Sequence, residues 1–313
     1  MREAGYVKAS VIIPAWGDTP YLSEARACLS AQTASDFEVL VSAPPQGEEN
    51  AGAARNEGLA HARGDWVFFV DADDLPAPDF IEAATVAGER TGAEVVAFRA
   101  DEVDARLGTR TPMPYLRRIV PWADGKAHLL DELGAARFTT FGLAPWNKAV
   151  RRSLVEENKI RFQSIRRSND IAFSVEVLAR ARTFAAIDRA LIGYRVNNAQ
   201  SLQWTNTETP TYFYDALLEA KRRLDGMHQD ELRALADETI AYHLHSVRMV
   251  EAYRLLADFL TRRAQDDFGV NIHVSRIKRS GALCFKAARA VETLQARGLA
   301  FCFRRVLGRI LKP

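Results

Sequence analysis

GDWVFFVDADDLPAPDF, residues 64–80, joins a strongly apolar segment to a cluster of acids. Its first half, from Trp66 to Val70, is an unbroken apolar run of β-branched and aromatic side chains. The run is too short for a helix and has no polar alternation, so it predicts a central strand buried on both faces. Three carboxylates follow at once, Asp71, Asp73 and Asp74, and Pro76 and Pro78 bar the strand from continuing. In an open α/β sheet the ligand crevice lies beyond the carboxyl ends of the strands, which is where this acidic group falls. If the chain stays extended, alternation points Asp71 and Asp73 the same way, with Ala72 between them. Hard oxygen donors converging there suit Mg2+ or Mn2+, with phosphate oxygens completing the shell. The plainer alternative is that Asp and Pro end a strand and open the next helix. A lone D-x-D does not decide between the two. Its surroundings do.

Upstream of this stretch, residues 10–14 read as a buried strand closed by Pro14, and residues 15–20 as a turn with Trp16 at its mouth. Residues 21–32 carry helical spacing (Leu22, Ala25, Leu29), residues 37–41 a second strand, and residues 43–49 a Pro-Gly loop. The Ala-rich residues 50–63 predict a helix leading to Gly64. Downstream, a helix over 79–91 is stopped by Gly92, and residues 94–98 form another strand. Residues 101–137 show no regular pattern, and residues 144–158 predict a short helical stretch. Residues 161–181 enter a helix with Ile171, Phe173, Val177 and Leu178 on its apolar positions, and residues 190–195 form a last strand. From about residue 206 helical periodicity dominates (Leu217, Leu218, Leu224; Leu255, Leu256, Phe259). Strands alternating with helices predict a doubly wound α/β domain over 1–205, followed by a helical region over 206–313.

Composition narrows the class. A chain of 313 residues with 48% hydrophobic and 26% charged residues is globular. Cys28, Cys284 and Cys302 are too few and scattered for a disulfide framework or a zinc site, and they point to a reducing cytoplasm. The start, Met1-Arg2-Glu3-Ala4, has no apolar signal core, and no run of apolar residues is long enough to span a bilayer. The net charge of +2 hides an asymmetry: residues 276–313 hold ten Lys or Arg against the single acid Glu292, so +9 sits there and −7 on the rest. Phe303, Val306, Leu307 and Ile310 form one helical stripe flanked by Arg305, Arg309 and Lys312. This basic amphipathic tail fits an anionic membrane surface, or else packs on the protein's own body. Basic residues are not interleaved with aromatics in a known module, so no nucleic acid is expected.

Six motifs in order give the resemblance: VIIPAW; Gln32-Thr33 with Asp36-Phe37-Glu38; GAARNEGLAHARGDWVFFVDADD; Pro145-Trp146-Asn147-Lys148; Asn169-Asp170 with Phe173; and Tyr194-Arg195. Together, over roughly residues 8–203, they resemble a family 2 glycosyltransferase with the GT-A fold, a Rossmann-like mixed sheet. The resemblance implies inverting transfer of a sugar from a nucleotide-diphosphate sugar, a UDP-sugar foremost, to a hydroxyl of a glycan or lipid-linked acceptor. The setting it implies is surface polysaccharide or glycolipid synthesis at the inner face of the cell membrane. It makes Asp73 and Asp71 ligands of Mn2+ or Mg2+, and Asp170 the general base. Pro14, Ala15, Trp16, Arg55, Asp71 and Ala72 fall on its nucleotide side, and Asp74, Trp146, Lys148 and Asn169 on its donor or acceptor side.

This sequence also departs from that pattern. Ser42-Ala43-Pro44-Pro45 follows the second strand where the family usually has an Asp pair that helps read uracil. Asn169 stands where Glu often precedes the base, and Asn197 near where a metal-binding His often lies. Two other functions stay open at this point. A nucleotidyltransferase would want a Gly-rich phosphate loop after the first strand, which residues 15–20 do not offer, and a non-catalytic sugar-nucleotide-binding or scaffold protein would keep the fold without turnover.

Overall fold

The computed structural model describes residues 6–17, 19–104, 106–196, 211–246 and 250–270. In chain order the elements are β1 (Ala9–Pro14), α1 (Leu22–Ser30), β2 (Phe37–Ser42), α2 (Ala51–His61), β3 (Trp66–Phe69), β4 (Leu75–Pro76), α3 (Phe80–Thr91), β5 (Val95–Asp104), β6 (Arg110–Pro112), β7 (His128–Leu129), β8 (Lys148–Arg151), α4 (Arg152–Glu157), α5 (Asn169–Arg180), β9 (Thr183–Val196), α6 (Tyr212–Leu224), α7 (Gln229–Ser246) and α8 (Val250–Phe268). Among these residues the strands make one mixed sheet of nine, ordered β2-β1-β3-β8-β5-β9-β4, with β6 on β5 and β7 on β9.

β3 lies inside the sheet, parallel to β1 on one side and antiparallel to β8 on the other, and all four of its residues are buried. Its alternation sorts the core into two layers. Phe68 meets Phe80 at 5.0 Å between centroids, and Phe80 meets Phe98. Phe69 points the other way, to Phe162 (4.9 Å) and Phe173 (5.3 Å). Trp66, on the Phe68 side, lies so close to α3 that a Cβ on Gly88 would sit 2.2 Å from its ring. A strand covered by rings on both faces has no solvent side, which is why its sequence is a continuous apolar run.

The helices around it follow their expected signals. Gly92 ends α3 in the left-handed conformation (φ 72°), as a C-terminal glycine does. Asn50 caps α2, its Oδ1 accepting from Ala53 N (2.8 Å), while its Nδ2 donates to Ser164 Oγ (3.0 Å). Asn50→Ala is therefore expected to lower stability by about 1 kcal/mol, the usual worth of a cap; a urea denaturation midpoint equal to the parent's would show that the cap carries nothing.

The structure revises three readings. Residues 148–151 form β8, an interior strand, and the helix α4 begins only at Arg152. Lys-Ala-Val-Arg is too short to show a period, and tertiary pairing with β3 and β5 settles its conformation. The strand expected over 94–98 continues to Asp104, and the one expected over 190–195 begins at Thr183; they pair in parallel along their length with a bulge near Arg99. The unassigned 101–137 region supplies the end of β5, the β6 hairpin, short 3-10 turns and β7.

The chain divides into two compact units. One comprises residues 1–205 and 212–235, and α6 packs on α5 within it, with Arg223 paired to Glu176 (3.1 Å) and Glu219 (2.7 Å). The other comprises residues 206–211 and 236–313. In the latter, Leu256, Leu260, Ala264 and Phe268 recur every four residues and are buried, one apolar stripe along α8. No described helix is long and apolar enough to cross a membrane. Asn197 and the basic tail lie outside the described residues.

Candidate active site

β1, β2 and β3 run in parallel and deliver their carboxyl ends to one edge, with Pro14 level with Ser42 and Ile12 level with Phe69. Pro14 and Ala15 are buried there, the Ala15 amide bonded to Ser42 O (3.0 Å). Trp16 then emerges, 38% exposed, and Gly17 turns the chain with φ 65°. The rim thus offers an exposed indole beside the ends of three strands.

At the end of β3 the chain does not remain extended. The Asp74 amide bonds back to Asp71 O (3.0 Å), so residues 71–74 form a tight turn, and the alternation argument for Asp71 and Asp73 does not apply. Asp71, Ala72 and Asp73 stay partly exposed, whereas Asp74 is fully buried. Asp74 accepts from Arg195 N (3.3 Å), and its Oδ2 has no partner. Burial, then the Asp71 and Asp73 charges, push its pKa well up. The enclosed carboxyl anchors the turn to β9.

Arg195 is also occupied. Its Nε donates to Asp73 O (2.9 Å), its guanidinium pairs with Glu24, and it lies over the Tyr21 ring at 4.3 Å. It ties the turn to α1. Tyr194, to which the sequence assigns no role, stands among the three acids. Burial, then Asp71, Asp74 and Asp73, raise its phenol pKa. Trp146, only 5% exposed, stacks on it at 5.1 Å. The signal for Tyr194 lies in its place beside Arg195 on a strand that ends at the acidic turn.

Arg55 links the two halves of the site. It sits on α2, whose Ala-Gly sequence lets it pack closely: a Cβ on Gly52 would lie 2.3 Å from Gln163 O and 2.9 Å from Asn169 Cβ. From there Arg55 Nη2 donates to Asp71 Oδ1 (2.6 Å) and Nη1 to Asn169 Oδ1 (2.8 Å). One guanidinium, 5% exposed, therefore spans from the acidic turn to the first residue of α5. The α2 side is pinned again by Asn56, which exchanges two hydrogen bonds with the Phe162 backbone (2.9 and 2.8 Å).

Asp170 follows Asn169 in the first turn of α5, entered through Ser168 in the left-handed conformation (φ 55°). A non-glycine residue held there costs free energy that the surroundings must offset, a pattern common at functional sites. The Asp170 pKa is raised by burial and by Asp71, and drawn back by Arg55 and Lys148. Part of the residue stays exposed. A largely buried carboxyl with a raised pKa, still reached by solvent at the head of a helix, is suited to accept a proton. Lys148, expected on the donor or acceptor side, is instead 2% exposed and bonded within the protein.

The structure therefore brings Arg55, Asp71, Asn169 and Asp170 together, places Asp73 on the same turn, and puts Trp16 at the same sheet edge. It withdraws Asp74, Trp146, Lys148 and Arg195 into supporting positions. Among the described residues no three His, Cys, Asp or Glu gather as a ready metal cluster.

Residues 44–158 match the family model described as Glycosyl transferase family 2. EpsJ of Bacillus subtilis (strain 168), an uncharacterized glycosyltransferase, is 26% identical over 214 residues, covering 60% of this chain and 61% of that protein. The chain spans 45–64% of the length of the curated relatives it matches. Among solved structures it is similar to S. aureus TarS 1–349 in complex with UDP-GlcNAc (16% identity, 93% of this chain and 92% of that one, TM-score 0.66). It is also similar to the mannosyltransferase PcManGT from Pyrobaculum calidifontis in complex with GDP-Man and Mn2+ (15% identity, 98% and 88%, TM-score 0.51). The fold is the mixed α/β GT-A fold of these neighbours, continued by C-terminal helices.

Proposed function

We propose that this chain is a family 2 glycosyltransferase that transfers a sugar from a nucleotide-diphosphate donor to an acceptor hydroxyl with inversion, and that Asp170 is its base. The observation that carries the reading is Arg55 bonded at once to Asp71 of the acidic turn and to Asn169, the neighbour of Asp170. A donor-side carboxylate and a raised-pKa carboxylate are thereby fixed in one crevice. Asp170 takes the proton of the acceptor hydroxyl, whose oxygen bonds to the anomeric carbon. The bond from that carbon to the diphosphate breaks on the opposite face, and its electron pair leaves with the nucleotide. One base suffices, since no covalent intermediate intervenes.

The donor set fits a divalent cation only together with substrate. Asp71 and Asp73 supply hard oxygens, one oxygen of Asp71 is already bonded to Arg55, and Asp74 is enclosed. Mn2+ or Mg2+ held by Asp73, Asp71 and the diphosphate would stabilise the negative charge of the leaving group. The exposed Trp16 would lie against the base, with a UDP-sugar the first donor to try. The acceptor is a glycan or a lipid-linked sugar, and the +9 tail suits the inner face of an anionic membrane.

A nucleotide diphosphate with Mn2+ is expected to raise the midpoint of thermal unfolding, because a ligand that binds only the folded state stabilises it. Asp73→Asn should weaken metal-dependent binding of UDP or GDP by about tenfold or more, one charge-assisted ligand bond, with the free protein's melting unchanged. Calorimetric titration with and without Mn2+ measures it. Equal affinities would remove Asp73 from the site, and a parent that neither binds nor hydrolyses any donor would favour the scaffold reading.

A further inference from the structure

The segment over residues 142–147, just ahead of β8, is held from two sides. From α5 the Ser174 hydroxyl donates to Leu143 O (2.6 Å). From β8 the Lys148 ammonium donates to Gly142 O (2.9 Å), Ala144 O (2.6 Å) and Asn147 Oδ1 (2.6 Å). An ammonium has three protons, so all of them are spent on one short segment and none remains for a substrate. None of the three acceptors is charged, and the side chain is almost wholly buried. Such a site disfavours the charged form: burial pushes the Lys148 pKa down to about 7, against an upward pull from Asp170.

Asp170 stands one helical turn before Ser174, on the same face of α5. That face carries the carboxylate at one level and grips the 142–147 segment at the next. The charged groups acting on Asp170 come from three elements, Arg55 on α2, Asp71 after β3 and Lys148 on β8, and Asp170 is the one that acts on Lys148. Closing a loop alone does not call for a charge, since an apolar side chain of similar volume often serves as well in a core.

We propose that Lys148 is a positioning residue for Asp170, closing the 142–147 segment against α5 and lending its ammonium charge to keep the carboxylate ionised. The proposal rests on Asp170 being the base. It makes the charge of Lys148, and not only its hydrogen bonds, part of the site.

Two measurements test it. In the full-length protein with labelled lysines and no ligand, the Lys148 resonance should titrate near neutral pH, and in Asp170→Asn its midpoint should move to lower pH. An unmoved midpoint overturns the proposal. In donor hydrolysis with UDP-GlcNAc and Mn2+, or with whichever sugar nucleotide the parent turns over, Lys148→Met should shift the acid limb of the pH profile upward, while Lys148→Arg leaves it in place. A folded Lys148→Met with a lower rate but an unmoved acid limb overturns it, because that is what a purely structural lysine gives. If Lys148→Met does not fold, the resonance decides. If the parent turns over no donor, glycosyl transfer fails as a reading, and the resonance still decides whether the two groups are coupled.

Discussion

Asp170→Asn is expected to lower the rate of sugar transfer by about 10²-fold or more, the usual worth of a positioned proton acceptor. Nucleotide affinity should stay near the parent's, since the carboxyl lies at the head of α5 and the proposed diphosphate side is the 71–74 turn. The amide is nearly isosteric with the acid, so loss of fold is a poor explanation for loss of rate. The pH dependence gives a second check with a definite sign. The base works ionised, and burial followed by the Asp71 charge raises its pKa, so activity should fall as pH drops through a value above the usual carboxylate range. Donor affinity by calorimetry and transfer rate on the same preparations settle the matter. A variant turning over at the parent rate would move the base elsewhere.

Gly52→Ala is expected to be almost as damaging to turnover, though residue 52 has no reactive group. The added methyl would collide with the backbone oxygen of Gln163 at 2.3 Å, and the backbone cannot rotate away as a side chain might. Relief requires α2 and the 163–169 segment to part. That stretches the Arg55 bonds that hold Asp71 and Asn169 in register. A displacement near 1 Å at reacting groups costs about 10²-fold in rate, and overpacking costs about 1–3 kcal/mol in stability. The variant should therefore be folded at room temperature, melt earlier and transfer sugar slowly. Parent-like rates would mean that the contact between α2 and this segment does not govern the site.

What the sequence made legible was whatever depends on neighbours in the chain. The run from Trp66 to Val70 announced a strand buried on both faces, Asn50 and Gly92 announced helix ends, and the acids after β3 announced a crevice. Six short motifs together carried the resemblance to a glycosyltransferase family, though each alone is weak. What stayed hidden depends on partners far along the chain. Lys148-Ala149-Val150-Arg151 carries too few residues to show a period, and only β3 and β5 make it a strand. Lys148 looks like a substrate-side cation in sequence, but its acceptors, from Gly142 to Asn147, are brought to it by the fold. Asn169 reads as a donor- or acceptor-side residue, and its bond to Arg55, 114 positions away, is seen only once the fold is in place. Polar residues that converge from several elements cannot be sorted into ligand and scaffold before the elements are placed.

The position of β8 has a consequence for how the chain becomes folded. Trp66 pairs with Arg151, and Phe68 with Ala149, so one edge of the most apolar strand waits for residues synthesised some eighty positions later. β1, β2 and β3 can pair among themselves as soon as they emerge, since their connections are local. Until β8 arrives, however, β3 is an open, hydrophobic edge of the kind that recruits other chains. Non-local pairing of this sort is slow because the loop must close before the contact is gained. The step that joins β3 to β5 through β8 is thus also the step that closes this open edge, and both wait on the arrival of one four-residue strand.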